Sequence, residues 1–315
     1  MSVRKVLVTG ATGLVGGHVL SRLAVQDGLE PIAAVRSPQQ WSGGLEARAF
    51  VLAEAEHLPR MEDIDTVVHC AARVHVMRQH DCDQAEFSRL NVDGTLLLAR
   101  AAAASGVRQF IYLSSVKVHG ESTPLGKPFD AQAPYAPKDA YAQSKVDAEV
   151  QLKELSRTTD MVITIIRPPL VYGPGVRANF QRMMHAVSLR VPMPVAAIKN
   201  KRSLVFVENL ADLVVTCLGN PNAENEAFLV SDGEDLSTVE LLSALAKAFN
   251  VRLFAFPVPS FVLKVMAGRF SSLARLTGSL QVDVQKNAER LGWAPPHRYE
   301  FGLYTTVQAF KEHAK

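Results

Sequence analysis

The sequence predicts an α/β fold, a doubly wound parallel sheet followed by a smaller C-terminal lobe. Three observations carry that expectation. Short apolar runs alternate with helix-period segments through the first half of the chain. A glycine-rich turn follows the first of those runs. After residue 167 the pattern breaks at Pro168-Pro169 and at Gly173-Pro174-Gly175.

Taken in order, residues 3–9 read as a buried strand and 14–26 as a helix. Residues 30–35 form a second strand, 47–52 a weaker third and 64–69 a fourth. A long helix is expected over 84–105, stopped by Gly106, a residue suited to the left-handed backbone at a helix end. Residues 109–114 give a fifth strand, 139–157 a helix and 161–167 a β-branched sixth strand. Beyond that come strand candidates at 202–207 and 226–230 and a helix at 238–249. The expected domains are 1–168 for dinucleotide binding, with segments near 203–230 returning to it, and 169–315 as a mainly substrate-binding lobe.

Of the 315 residues 48% are hydrophobic and 21% charged, which supports a large core and excludes disorder. The net charge of +3 gives no electrostatic case for nucleic acid. Cys70, Cys82 and Cys217 are too scattered for a disulfide framework or a zinc site, so no metal is expected and a reducing, cytoplasmic setting is. Arg4 and Lys5 lead into a glycine turn rather than a long apolar stretch, so no secretion signal is expected. No apolar run is long enough for a membrane span. Residues 254–276 are apolar with a few basic residues and read as a lobe helix, a membrane-surface contact being the alternative.

The first strand runs into Thr9-Gly10-Ala11-Thr12-Gly13-Leu14-Val15-Gly16. Gly10 permits the tight turn, Gly13 lets a diphosphate approach the backbone, and Gly16 lets helix and strand pack closely. The strand–turn–helix context makes this a dinucleotide site. An acidic residue at the end of the second strand would meet a ribose 2′-hydroxyl. Here Arg36 and Ser37 occupy that place, and a guanidinium suits a 2′-phosphate. NADP(H) is therefore favoured, with NAD(H) the alternative if Arg36 only stacks on the adenine.

Tyr141 and Lys145 lie one helical turn apart on one face. A neighbouring ammonium is expected to lower the phenol pKa into the useful range for an alcohol–ketone couple. Ser114 and Ser115 close the fifth strand at the carboxyl edge of the sheet, where ligands of such sheets bind. One of the two is expected to hydrogen-bond a substrate carbonyl.

With these motifs the chain resembles the extended short-chain dehydrogenase/reductase family, the nucleotide-sugar epimerase, dehydratase and reductase group. The likeness covers nearly the whole chain. Besides the glycine turn, it rests on His69-Cys70-Ala71-Ala72, Asn91-Val92-Asp93-Gly94-Thr95, the stretch from Leu113 to Gly120, and Tyr141 with Lys145. Further matches are Arg167 through Tyr172 to Gly175, Arg202 to Val207, and Leu291-Gly292-Trp293-Ala294-Pro295. Departures are His119 where a tyrosine is usual, Lys117 where a small residue is common, Ala53-Glu54-Ala55-Glu56 after the third strand, and Ser203 for an aspartate.

The resemblance implies Ser115, Tyr141 and Lys145 as catalytic residues, with Ser114 in support. It implies that Asn91 positions Lys145 or a water. Cofactor contacts are implied at Gly10, Thr12, Gly13, Leu14, Val15, Gly16, Arg36, Ser37, Ala71, Ala72, Arg73 and Pro168. Substrate contacts are implied at Ser115, Val116, Lys117, Asn179 and Arg202, the last two on the diphosphate of a UDP-linked sugar. The proline-interrupted loop 122–138 would border the sugar. The chain looks like a bacterial surface-polysaccharide branch containing reductases that make UDP-N-acetylquinovosamine from a 4-keto precursor. Arg36 favours such a reductase over a UDP-sugar 4-epimerase that retains NAD. A 4,6-dehydratase needs an acid pair after the catalytic serine, where Val116 and Lys117 stand. A cofactor sensor has no use for Ser115, Tyr141 and Lys145. A lipid-linked sugar is a further alternative substrate. The resemblance also implies a homodimer built on the helices at 84–105 and 139–157.

Overall fold

A computed structural model describes residues 3–74, 82–258 and 277–313. Seven strands form one wholly parallel sheet: β1 (Arg4–Thr9), β2 (Leu29–Val35), β3 (Ala47–Ala49), β4 (Thr66–His69), β5 (Gln109–Leu113), β6 (Val162–Arg167) and β9 (Ala227–Leu229). Their order is β3-β2-β1-β4-β5-β6-β9. The chain starts in the middle and winds outward twice, so the order reverses between β1 and β4, beside the glycine turn. Two further strands, β7 (Leu170–Tyr172) and β8 (Leu204–Phe206), pair in parallel as a separate ribbon.

Alternation along the strands explains the two buried faces. Val6 and Val8 of β1 point into a cluster with Val19, Leu20 and Leu23 of α1 (Leu14–Ala24) and Leu210, Leu213 and Val214 of α6 (Val207–Cys217). Leu7 points the other way, into a cluster with Leu96 and Ala99 of α3 (Gly94–Ala104) and Ala148 and Leu152 of α4 (Ala140–Thr158). A third cluster holds the lobe together. In it Tyr172 meets Phe180 and Met184 of α5 (Ala178–Ser188), Leu241 and Leu245 of α7 (Thr238–Phe249), and Leu303 and Val307 of the last helix, Tyr299–His313. Residues after 168 thus serve both parts: β9 extends the sheet beside β6, and α6 packs on α1.

Three elements differ from expectation. The helix expected over 84–105 is broken into α2 (Cys82–Phe87), a π turn (Ser88–Asp93) and α3. Thr95 Oγ1 donates to the Asn91 carbonyl at 2.7 Å, diverting it from the regular ladder. A Cβ on Gly94 would lie 2.9 Å from the Ala53 backbone nitrogen, so the turn sits tight against that loop. The third strand is only three residues long and ends before Ala53, whose φ is +64°. The strand expected at 202–207 stops at Phe206 because Val207 already opens α6. The sequence reading gave no elements for α8 (Gln285–Leu291) or α9 (Tyr299–His313). Of the segment 254–276, residues 259–276 lie outside the described residues. Among the described residues no helix is long and apolar enough to cross a membrane.

Candidate active site

The glycine turn has the geometry a bound diphosphate requires. Gly10 has φ +70°, and a Cβ there would meet the Ala71 nitrogen at 2.8 Å. A Cβ on Gly16 would lie 2.2 Å from the Gly10 carbonyl oxygen, so only glycine lets α1 start this close to β1. Helix α1 begins after Gly13 with no side-chain cap and no acidic residue in its first turn. Its first N–H groups and the positive end of its dipole are thus left for an anion. The residues present fit a dinucleotide diphosphate. Thr12 and Gly13 are exposed there, Leu14 and Val15 half-buried. A cleft of about 680 Å³ borders this start, lined by Thr12, Gly13, Leu14, Trp41, Pro174 and Arg177 among others. It does not reach Ser115, Tyr141 or Lys145.

His69 ties the ends of β1 and β4 together. Its ring nitrogens meet Thr9 Oγ1 at 2.8 Å and Thr95 Oγ1 at 3.1 Å. Thr9 Oγ1 in turn accepts from the Ala71 N–H at 3.2 Å. Burial pushes the imidazole down to about 3, so it is neutral here and acts as a fastener. Ala72 is half-buried on the same loop. Arg36 and Ser37 are exposed beyond the end of β2, and among the described residues Arg36 makes no ion pair.

The carboxyl end of β5 places the serines. Ser114 is buried and its N–H donates to the Ile166 carbonyl at 2.8 Å. Ser115 starts a 3₁₀ turn (Val116–Val118), its Oγ accepting from the Lys117 N–H at 3.2 Å. The Pro168 carbonyl accepts from the Val116 N–H at 3.0 Å, which clamps the turn to β6. Helix α4 is started by Asp139, whose side chain accepts from the Ala142 N–H at 2.7 Å. Two residues on, Tyr141 hydrogen-bonds Ser115, and Phe87 meets its ring edge-on at 6.1 Å.

Lys145 is buried one turn further. Its ammonium donates to the Leu113 carbonyl at 2.8 Å and lies 4.5 Å from the centre of the Tyr112 ring. It is 6.0 Å from the centre of the Tyr141 ring. The structure therefore corrects the expected tuning. Burial, with the charge of Asp139, pushes the Tyr141 phenol up to about 12, and the Ser115 hydrogen bond only partly opposes this. Burial pulls Lys145 itself down to about 8. The ammonium is engaged by a backbone carbonyl rather than facing the phenol oxygen.

Other expected site residues sit as follows. Asn91 does not position Lys145. Its amide accepts from the Arg73 N–H at 2.8 Å and donates to the Arg73 carbonyl at 3.0 Å and to Ser144 Oγ at 3.0 Å, pinning the loop after β4 to α4. The Arg73 side chain pairs with Glu86 at 2.7 Å. The Val116 side chain is buried with Leu229, Leu280 and Val282 and so is not presented to a substrate. Lys117 pairs with Asp139 and Glu121. Asn179 is exposed in the first turn of α5, and Arg202 donates to the Gly278 carbonyl at 2.9 Å.

Sequence reasoning missed a buried network behind the serines. Arg167, 2% exposed, grips Glu149 through Nε at 3.0 Å and Nη2 at 2.6 Å. Its Nη1 meets His119 Nε2 at 3.1 Å and donates to the Ala131 carbonyl at 2.7 Å. Tyr135 donates to Glu149 at 2.6 Å and accepts from Lys153 at 3.0 Å. His119 in place of the usual tyrosine was the available signal, since an imidazole buried beside an arginine must find partners. Among the described residues no cluster of ligating side chains suits a metal.

Residues 6–231 match the model of the NAD dependent epimerase/dehydratase family. The chain belongs to that family. It is an enzyme family of the extended short-chain dehydrogenase/reductase type, which uses NAD(P). The chain is 42% identical over 314 residues to a UDP-glucose 4-epimerase of Vibrio cholerae, covering 98% of this chain and 95% of that one. In fold it is similar to UDP-glucose 4-epimerase of Thermotoga maritima, with a TM-score of 0.79 at 21% identity over 99% of this chain and 100% of that one. It is also similar to RMD of Pseudomonas aeruginosa, solved with NADPH, with a TM-score of 0.77 at 21% identity over 98% and 99% of the two chains.

Proposed function

We propose that this member of the family is an NADPH-dependent reductase acting on the C4 ketone of a UDP-4-keto-6-deoxy-hexosamine, giving UDP-N-acetylquinovosamine or a close relative. The observation that carries the reading is Arg36, exposed and without an ion pair among the described residues at the end of β2. A guanidinium there favours a 2′-phosphate, and NADPH is the cofactor drawn on by net reduction.

Gly10, Gly13 and the start of α1 would hold the diphosphate, Arg36 and Ser37 the 2′-phosphate, and Lys145 the nicotinamide ribose. When bound, the cofactor supplies the hydride that reduces the ketone carbon. Tyr141 gives its proton to the ketone oxygen, which becomes the hydroxyl. Ser115 donates a hydrogen bond to the same oxygen and stabilises the charge that develops on it. A phenol pushed up to about 12 is protonated at neutral pH, the form a proton donor needs. Asn179 and Arg202, in the lobe formed by residues 169–315, are proposed to meet the UDP diphosphate. We place the reaction in the cytoplasm and expect a homodimer through the helices around 84–105 and 139–157, where Val150 is 51% exposed.

The name of the Vibrio cholerae relative favours a second reading, a UDP-sugar 4-epimerase with retained NAD. One experiment separates the two. The protein is mixed with NADPH and UDP-4-keto-6-deoxy-N-acetylglucosamine, and absorbance at the NADPH band is followed. In parallel it is mixed with UDP-glucose and no added cofactor, and UDP-galactose is sought. Ketone-dependent NADPH loss supports the reductase. UDP-galactose without added cofactor supports the epimerase.

A further inference from the structure

Lys117 stands two residues after Ser115 and joins the serine turn to the residue that caps the tyrosine helix. Its backbone N–H donates to Ser115 Oγ at 3.2 Å. Its ammonium donates to Asp139 Oδ2 at 2.6 Å and to Glu121 Oε1 at 2.8 Å. Asp139 is the cap of the helix that carries Tyr141, its other oxygen accepting from the Ala142 N–H at 2.7 Å.

We propose that Lys117 is a positioning residue, locking the serine turn to the cap of the tyrosine helix and neutralising the Asp139 carboxylate beside Tyr141. The inference rests on the reading of Ser115 and Tyr141 as the pair that handles the ketone oxygen. It departs from the expectation that Lys117 contacts substrate. The Lys117 side chain is 25% exposed and already holds two carboxylates.

The charge balance around Tyr141 supports the role. Asp139 raises the phenol pKa, second only to burial, and the Ser115 hydroxyl lowers it. Lys145 lies on the same helix, 6.0 Å from the ring centre, with its ammonium turned to a carbonyl. From β5, buried Tyr112 is held neutral, its phenol pushed well above the ordinary value by burial. From α2, Phe87 is uncharged and Glu86 is paired with Arg73. Lys117 is thus the cation placed to offset Asp139. Without it, the uncompensated carboxylate holds the proton more tightly on Tyr141, and the serine turn loses its tie to α4.

The test is a pH titration of the full chain labelled with ¹³C-tyrosine, Tyr141 being assigned from the Tyr141→Phe spectrum. Asp139→Asn should lower the Tyr141 titration by about half a unit to one unit, roughly three- to tenfold in ionisation constant. Lys117→Met should raise it, Lys117→Arg should leave it near wild type, and Lys117→Met added to Asp139→Asn should change nothing further. An unmoved Tyr141 in Lys117→Met, or an equal shift with Asp139 already removed, overturns the proposal. So does a raised KM for the nucleotide sugar with titration and kcat unmoved, which makes Lys117 a substrate contact. If Lys117→Met does not fold, Asp139→Asn decides: a Tyr141 titration no lower than wild type overturns the proposal. The titration needs no substrate, so absence of ketone reduction would count against the proposed function alone.

Discussion

At the residue scale, the proposed acid can be tested directly. Tyr141→Phe keeps the ring packed against Phe87 and removes the hydroxyl that would give the proton. It should lower kcat by roughly 10²–10⁴-fold, the usual worth of a positioned acid, with NADPH affinity near wild type by fluorescence titration. Lys145 gives a second test through stability. Its ordinary value of 10.5 falls to about 8 on folding because burial disfavours the charge. Below pH 8 the folded state carries that cost in full, about 3 kcal/mol at 1.36 kcal/mol per unit. Between 8 and 10.5 the unfolded state binds more protons, so the cost is relieved as pH rises. Lys145→Met should therefore raise Tm by several degrees at pH 7, and the gain should shrink by pH 10. Tyr141 and Lys145 stood out by residue type and spacing, and Ser115 was singled out from Ser114 by the family resemblance. Their electrostatics were not legible, because the direction of the lysine depends on the Leu113 carbonyl, 32 positions away in the chain.

At the element scale, two close contacts set the frame. Gly16→Ala would press a methyl group to 2.2 Å from the Gly10 carbonyl. Helix α1 must then move off β1, and the expected outcome is loss of cofactor binding with a lower Tm in a thermal melt. The Arg167–Glu149 pair joins β6 to α4 with both side chains essentially buried. Arg167→Met leaves the Glu149 charge without its partner, at a cost of about 3–5 kcal/mol, measurable by urea unfolding. Arg167 holds the Glu149 carboxyl below the ordinary glutamate range against its burial. The pair's contribution is therefore complete above that range and is lost as pH falls below it, through the lowered value in the folded protein. Most strands of the sheet were legible, since both faces are apolar and each run is short. The π turn was not. Besides the local Thr95 bond to the Asn91 carbonyl, it carries tertiary bonds from Asn91 to Arg73 and Ser144 that helical periodicity does not encode.

At the scale of the whole molecule, the sheet order places the glycine turn, the β2 terminus and the serine turn along one edge, the carboxyl ends of parallel strands. That is why the proposed cofactor contact Arg36 and the proposed proton donor Tyr141 can belong to one site although 105 positions separate them. The lobe was legible only as a change of pattern. Its short strands β7 and β8 and helix α9 are fixed by packing around Tyr172 and Phe206, and α8 by the Asn287 bond to the Leu229 carbonyl, not by their own periodicity. Arg36→Ala should bring the NADPH and NADH affinities together, chiefly by weakening NADPH. NADPH-dependent reduction is tested most directly by a fluorescence titration of the wild-type protein with NADPH and with NADH, after assay for any nucleotide carried through purification. Tight, exchangeable NADPH with weak NADH is the predicted result. NAD that copurifies and resists exchange would contradict it, and would make the 4-epimerase the activity to pursue.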